Sequence, residues 1–233
     1  MSSIIEYLYG FKVFAFNSVD ELATFSINNP GIYISINAEC LYEKDANFIN
    51  IVNDNYGFSD GVGPVLASSL NGSGVLKKLP GCELWLSVLD KLETGKVAFL
   101  GATTDTMELL IRKIKYNYPH LDIVFYNDGY FSSEKEIIER LVESKPEFVF
   151  IGMGQPKQEV LSKKLKQRLL KAKFYPVGGA FDLYTGKVKR APKWLVNLGL
   201  ESIYRLYLEP SRWRRQIVLP KFLFRCIFDK FSR

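Results

Sequence analysis

A doubly wound α/β domain carrying a helical C-terminal appendage is the fold class this sequence predicts. Three observations lead there. Short apolar runs recur along the chain, helical patterns alternate with them, and small or polar residues gather where a run ends and the next helix opens.

The strands come first. Residues 31–36 form a β-branched and aromatic run, and 96–100 (KVAFL), 121–126 (LDIVFY), 147–151 (EFVFI) and 173–177 (KFYPV) are short apolar runs bounded by Gly, Asn or Pro. Continuous apolar strands of this length suit a parallel sheet covered on both faces. Between them lie helical patterns. Residues 104–118 have Thr103 or Thr104 available as N-cap, and 133–144 open on a sequence resembling a capping box, Ser133 with Glu136. Residues 156–171 start with Pro156, which suits a first helical turn. In such sheets a ligand sits at the carboxyl ends of the strands. After residue 186 the character changes to helical stretches over 191–209, closed by Pro210, and from 211 towards 231, with Pro220 inside. The expected division is an α/β domain over 1–186 and a basic helical appendage over 187–233.

Charge follows the same division. Residues 187–233 hold 12 Lys+Arg against 3 Asp+Glu, and the remainder holds 19 against 22, so a mildly acidic body carries a strongly basic tail. That asymmetry points to an anionic membrane surface or nucleic acid. The tail interleaves Trp194, Trp213, Tyr204, Tyr207, Phe222 and Phe224 with Arg205, Arg212, Arg214, Arg215 and Arg225, a composition suited to the headgroup region of anionic lipid. The plainer alternative packs these aromatics on the body. No run reaches the roughly 20 apolar residues of a spanning helix, and residues 1–9 do not read as a secretory signal. Cys40, Cys82 and Cys226 are far apart and form no C-x-x-C pair, which reads as free thiols in a reducing compartment. A single histidine, His120, excludes a site built on several histidines.

Five motifs fall at strand-to-helix corners. Asn37, after the first run, can present a side-chain amide to a ligand or simply cap a helix. Asp60, in Ser59-Asp60-Gly61-Val62-Gly63, has the placement of a general base, although an Asp cap with turn glycines would look the same. Gly101 and Thr103 form a small-residue turn and a hydroxyl at a helix start, either an anion site or an ordinary turn. Gly152, Gly154, Lys157 and Gln158 lie in Gly152-Met153-Gly154-Gln155-Pro156-Lys157-Gln158-Glu159. There Gln158 can bond a base or sugar and Lys157 a phosphate, or both belong to a solvated first turn. Gly178, Gly179 and Asp182 follow the last run, and Lys189 and Arg190 stand ready for a diphosphate. The chain lacks G-x-G-x-x-G, a Walker lysine and any D-x-D. A dinucleotide fold, an NTPase and a divalent-metal diphosphate site are therefore disfavoured.

Taken in order, Asn37-Ala38-Glu39, Asp60-Gly61-Val62-Gly63, Gly101-Ala102-Thr103, Gly129-Tyr130-Phe131, the segment from Gly152 to Glu159, Gly178-Gly179-Ala180-Phe181-Asp182, Arg190-Ala191-Pro192, Gly199-Leu200-Glu201 and Glu209-Pro210-Ser211-Arg212 resemble the WecG/TagA/CpsF glycosyltransferases, glycosyltransferase family 26. The resemblance implies a Rossmann-like, mostly parallel sheet with helices on both faces. It implies an inverting, metal-independent transfer from a UDP-sugar to an undecaprenyl-diphosphate-linked saccharide, at the inner face of the cell membrane, with no cofactor. By the family's pattern Asp60 matches the base, Asn37 and Gln158 match polar active-site positions, and Arg190, Arg205, Arg212 and Arg215 match groups for the acceptor diphosphate. Two positions depart from that pattern: Ser35-Ile36-Asn37 stands where Thr-Pro-Asn is frequent, and Ser202 where Trp is common. The donor sugar, the acceptor sugar and any homo-oligomer stay open. A nucleotide-sensing module with a nucleic-acid-binding tail is the competing expectation; the family punctuation of the tail speaks against nucleic acid.

Overall fold

The computed structural model describes residues 4–189 together with Pro192, Tyr204, Val218, 220–222, 224–226 and Phe228. One eight-stranded sheet organises the body, in the order β1-β2-β4-β3-β8-β7-β5-β6. Its strands are β1 (Ile4–Leu8), β2 (Phe11–Ala15), β3 (Gly31–Ile36), β4 (Tyr56–Ser59), β5 (Lys96–Gly101), β6 (Asp122–Asn127), β7 (Phe148–Gly152) and β8 (Lys173–Pro176). Every neighbouring pair is parallel except the β1–β2 hairpin at one edge. The expected parallel α/β fold is observed. The hairpin, β2 and β4 are additions: β4 reads Tyr-Gly-Phe-Ser, too short and mixed to stand out as an apolar run.

The five expected strands start or end within a residue or so of their expected places, because side chains buried on both faces demand uninterrupted apolar sequence. Alternation sends them into two cores. Ile32, Ile34, Ile36, Ala98, Leu100, Val149, Ile151 and Phe174 face one, with α2 (Ala38–Glu43), α3 (Ala46–Asn53), α4 (Val62–Leu70), α7 (Glu134–Glu143) and α8 (Lys157–Lys166) above them. Tyr33, Val97, Phe99, Phe148, Phe150 and Tyr175 face the other, against α1 (Val19–Asn28), α5 (Gly81–Lys91), α6 (Thr104–Asn117) and α9 (Ala180–Thr185).

On the second face one ring from each of five adjacent strands forms a ladder. Phe99 stacks on Phe150 (centroids 5.3 Å), Phe150 on Tyr175 (5.1 Å), Tyr175 on Tyr33 (5.4 Å) and Tyr33 on Tyr56 (4.9 Å). The strand pairing sets the same register, Phe99 opposite Phe150 opposite Tyr175, and Tyr33 opposite Tyr56. Each buried tyrosine keeps a partner for its hydroxyl: Tyr33 donates to the Asn29 carbonyl and Tyr175 to Ser26 Oγ at 3.0 Å. Burial raises both phenol pKa values.

Capping expectations hold at Thr103, which accepts from Thr106 N, and at Ser133, which accepts from Glu136 N at 3.3 Å. α8 is shorter than the expected 156–171. Turn hydrogen bonds from Arg168 and Leu169 to the Leu165 carbonyl close it, and Ala172 is then buried on the way into β8.

Pro220, Lys221, Phe222, Phe224, Arg225, Cys226 and Phe228 are helical. Phe222 (0% exposed) and Cys226 are buried beside Tyr9 at the hairpin turn, with the Tyr9 and Phe222 rings 5.6 Å apart and Tyr9 Oη donating to Cys226 Sγ at 3.3 Å. Phe222 thus belongs to the body's core rather than to a lipid-facing set, because apolar surface at the Tyr9 turn was available to cover it. Phe224 (64%) and Phe228 stay exposed with their rings 4.5 Å apart. Apart from Pro192 and Tyr204, the expected helix over 191–209 lies outside the described residues, as do Arg190, Arg205, Arg212 and Arg215. Among the described residues, no helix is long and apolar enough to cross a membrane.

Candidate active site

Strand order brings the separated motifs together. The carboxyl ends of β4, β3, β8, β7 and β5 are consecutive along the sheet. They carry Asp60, Asn37, Gly178–Gly179, Gly152–Gly154 and Gly101–Thr103 respectively.

Asn37 and Asp60 stand at the same level because Ile36 pairs with Ser59, and Asp60 N donates to the Ile36 carbonyl at 2.8 Å. Asn37 caps α2, its Oδ1 accepting from Cys40 N at 3.0 Å, while Nδ2 lies 3.5 Å from Gln155 Oε1. The capping alternative is therefore real, and it leaves Nδ2 directed along the strand ends. Next to Asp60 the first turn of α5 passes very close. A methyl group on Gly81 would lie 3.1 Å from Asp60 Oδ2 and 3.1 Å from Ser35 Cβ. With Asp60 as the candidate base, Gly81→Ala should fold normally yet slow turnover by about 10–100-fold, since small displacements of a reacting group cost that much. Steady-state rates beside a thermal melt check this, and an unchanged kcat would place Asp60 outside the reaction.

Further along, β5 and β7 end closer together than any side chain allows. A Cβ on Gly101, where φ is +129°, would sit 2.3 Å from the Gly152 carbonyl oxygen, and Ala102 N donates to that oxygen at 2.9 Å. Only glycine fits there. A Cβ on Gly154, Gly178 or Gly179 would meet nothing within 4 Å, so these main-chain segments border open space.

Thr103 and Asp182 meet through Thr106. Thr103 Oγ1 donates to Thr106 Oγ1 at 3.0 Å, and Thr106 Oγ1 donates to Asp182 Oδ1 at 2.9 Å. Lys187 Nζ joins them, 3.0 Å from Thr103 Oγ1 and 3.3 Å from Thr106 Oγ1. The sequence reading did not single out Lys187, since a lone lysine just past a domain boundary carries no motif.

Gln158 behaves differently from its expectation as a ligand contact. It is buried, and Oε1 accepts from Met153 N (3.3 Å), Gly154 N (3.1 Å) and Gly178 N (2.9 Å), while Nε2 donates to Glu159 Oε1 at 2.9 Å. Its amide knits two glycine loops together. Beside it the half-buried Gln155 precedes a cis peptide bond to Pro156. Gln155 Nε2 donates to the Ser35 carbonyl at 2.9 Å, and its Oε1 receives Cys40 Sγ at 3.3 Å. Lys157 is exposed in the first turn of α8, a place where the helix dipole disfavours a cation. No group of three or more metal-ligating side chains occurs among the described residues.

A sequence model described as the Glycosyl transferase WecG/TagA/CpsF family matches residues 9–233. The N-acetylglucosaminyldiphosphoundecaprenol N-acetyl-beta-D-mannosaminyltransferase of Bacillus spizizenii (strain ATCC 23059 / NRRL B-14472 / W23) is 36% identical over 166 residues, 70% of this chain and 65% of that protein. The protein of the same name from Bacillus subtilis (strain 168) is 31% identical over 182 residues, 77% of this chain and 71% of that protein. The match thus spans about two thirds of the length of these relatives.

Proposed function

Because this chain belongs to the WecG/TagA/CpsF family of glycosyl transferases, we propose that it moves a hexosaminyl group, N-acetylmannosaminyl as in its relatives' names, from a UDP-sugar to N-acetylglucosaminyl-diphosphoundecaprenol in cell-surface polysaccharide synthesis. The observation that carries this reading is the level placement of Asn37 and Asp60 on adjacent strand ends, beside two glycine loops bordering open space. A sugar nucleotide laid across those ends puts its diphosphate over Gly101–Thr103 and Gly152–Gly154 and its anomeric carbon near Asp60.

The acceptor hydroxyl attacks that carbon from the side opposite the diphosphate. Its proton passes to the Asp60 carboxylate, the carbon–oxygen bond to the diphosphate breaks, and UDP leaves with the electron pair, so configuration inverts in one displacement. The charge on UDP is balanced by cations instead of a divalent ion: Lys187 beside Thr103, Lys157 at the start of α8, and Arg190, Arg205, Arg212 and Arg215. Gln158 holds the loops, while Asn37 and Gln155 face the sugar. The basic segment over 187–233 brings the enzyme to the anionic inner membrane surface where its acceptor resides.

One assay tests these parts. UDP release is followed with UDP-N-acetylmannosamine, its uronic acid and UDP-glucose on a short-chain prenyl-diphosphate N-acetylglucosamine. The first donor is expected to react fastest, and EDTA to leave the rate unchanged. Loss of turnover in EDTA with recovery on adding manganese would overturn the metal-independent step. Acceptor in anionic vesicles should react faster than in neutral ones, and equal rates would remove the membrane role of the tail.

A further inference from the structure

Glu159 in the first turn of α8 is 0% exposed, and only one of its oxygens is hydrogen-bonded. Oε1 accepts from Gln158 Nε2, whereas Oε2 is the single buried side-chain polar atom without a hydrogen-bond partner among the described residues. Among the described residues it takes part in no ion pair; those are Lys91–Asp20, Lys164–Glu134 and Arg168–Glu139. Burial pushes its pKa up to about 7, against the opposing influence of Gln158 and Gln155. A buried acid with an orphaned oxygen costs stability. Its presence therefore asks for another reason.

The hydrogen bonds supply one. Gln158 has two chemically different ends, and a buried amide can be turned either way round. With Nε2 committed to Glu159, Oε1 must face the N–H groups of Met153, Gly154 and Gly178. Reversed, the amide would present N–H to three N–H donors and leave all of them unsatisfied. Those donors belong to the loops after β7 and β8, which border open space at Gly154 and Gly178. Gln155 faces the same carboxyl and ties the loop to Ser35 and Cys40 beside Asn37.

Building on the transferase reading above, we infer that Glu159 is a positioning residue of the donor site: its buried carboxyl sets the orientation of the Gln158 amide, and so holds the Met153–Gly154 and Gly178 loops at the separation that receives the nucleoside diphosphate. Glu159 does not touch the donor. It acts through Gln158.

The test uses the full chain, UDP as the probe, calorimetric titration for affinity and thermal unfolding for stability. Glu159→Met keeps the volume and removes both oxygens. It is expected to stay folded but to melt lower, because Gln158 Nε2 loses its acceptor, and to bind UDP about tenfold more weakly, with donor KM rising and kcat nearly constant, because the loops lose preorganisation. Glu159→Gln, which can still accept from Gln158, is expected to restore UDP binding. Equal UDP affinity in the unsubstituted chain and Glu159→Met would overturn the inference and leave the transferase reading intact. A Glu159→Met chain that fails to fold would also overturn it, making the residue structural. Absence of UDP binding by the unsubstituted chain would instead remove the donor reading itself, and this inference with it.

Discussion

Asp60→Asn lowers turnover by roughly 10²–10⁴-fold, the usual contribution of a positioned general base. The substitution preserves shape and removes the ability to take a proton. The main-chain anchor survives, since Asp60 N still donates to the Ile36 carbonyl and the Ile36–Ser59 pairing does not involve the side chain. UDP affinity is expected to stay within about twofold, because the proposed arrangement lays the diphosphate over other loops and cations. The loss then falls on kcat, the signature of an interaction made only as the proton moves. Turnover and UDP titration on the same preparation separate the two effects. Near-normal turnover would show that some other group accepts the proton.

Phe150→Ala destabilises the fold by about 3–5 kcal/mol. Phe150 is fully buried at the middle of the sheet, between the rings of Phe99 and Tyr175, and its edge also meets Trp85 at 6.1 Å. Removing it empties a site that five parallel strands cannot close without losing register. Stacked pairs add roughly 0.5–1.5 kcal/mol beyond their buried area, so the cost belongs in the upper part of the range. The same strands carry every glycine loop of the candidate site. UDP binding should therefore weaken in the variant even under conditions where it stays folded. Urea unfolding measures the change, and a loss below about 1 kcal/mol would mean that the ladder's rings are energetically independent.

Much of this molecule is legible in its sequence, for identifiable reasons. Strands buried on both faces must be apolar throughout, so β3, β5, β6, β7 and β8 announce themselves. Helix starts need a local oxygen for their free N–H groups, so Thr103, Ser133 and Asn37 mark α6, α7 and α2. The motif corners are legible too, because glycine is required where two chains nearly touch, as at Gly101 against Gly152. These are short-range demands, each met within a few residues.

The rest depends on distance in space. β4 is a strand because β2 and β3 flank it, not because Tyr-Gly-Phe-Ser has a strand pattern. Gln158, expected at the ligand, is sealed in instead, since its burial follows from how α8 seats on β3 and β8. Lys187 joins Thr103 across 84 positions, and Phe222 finds its cover at Tyr9 from the far end of the chain. The sequence by itself determined which residues can make strands, caps and glycine corners, as local backbone chemistry dictates. Only the tertiary structure decided which corners stand side by side and which polar groups are sealed in, because strand order and burial are properties of the packed sheet.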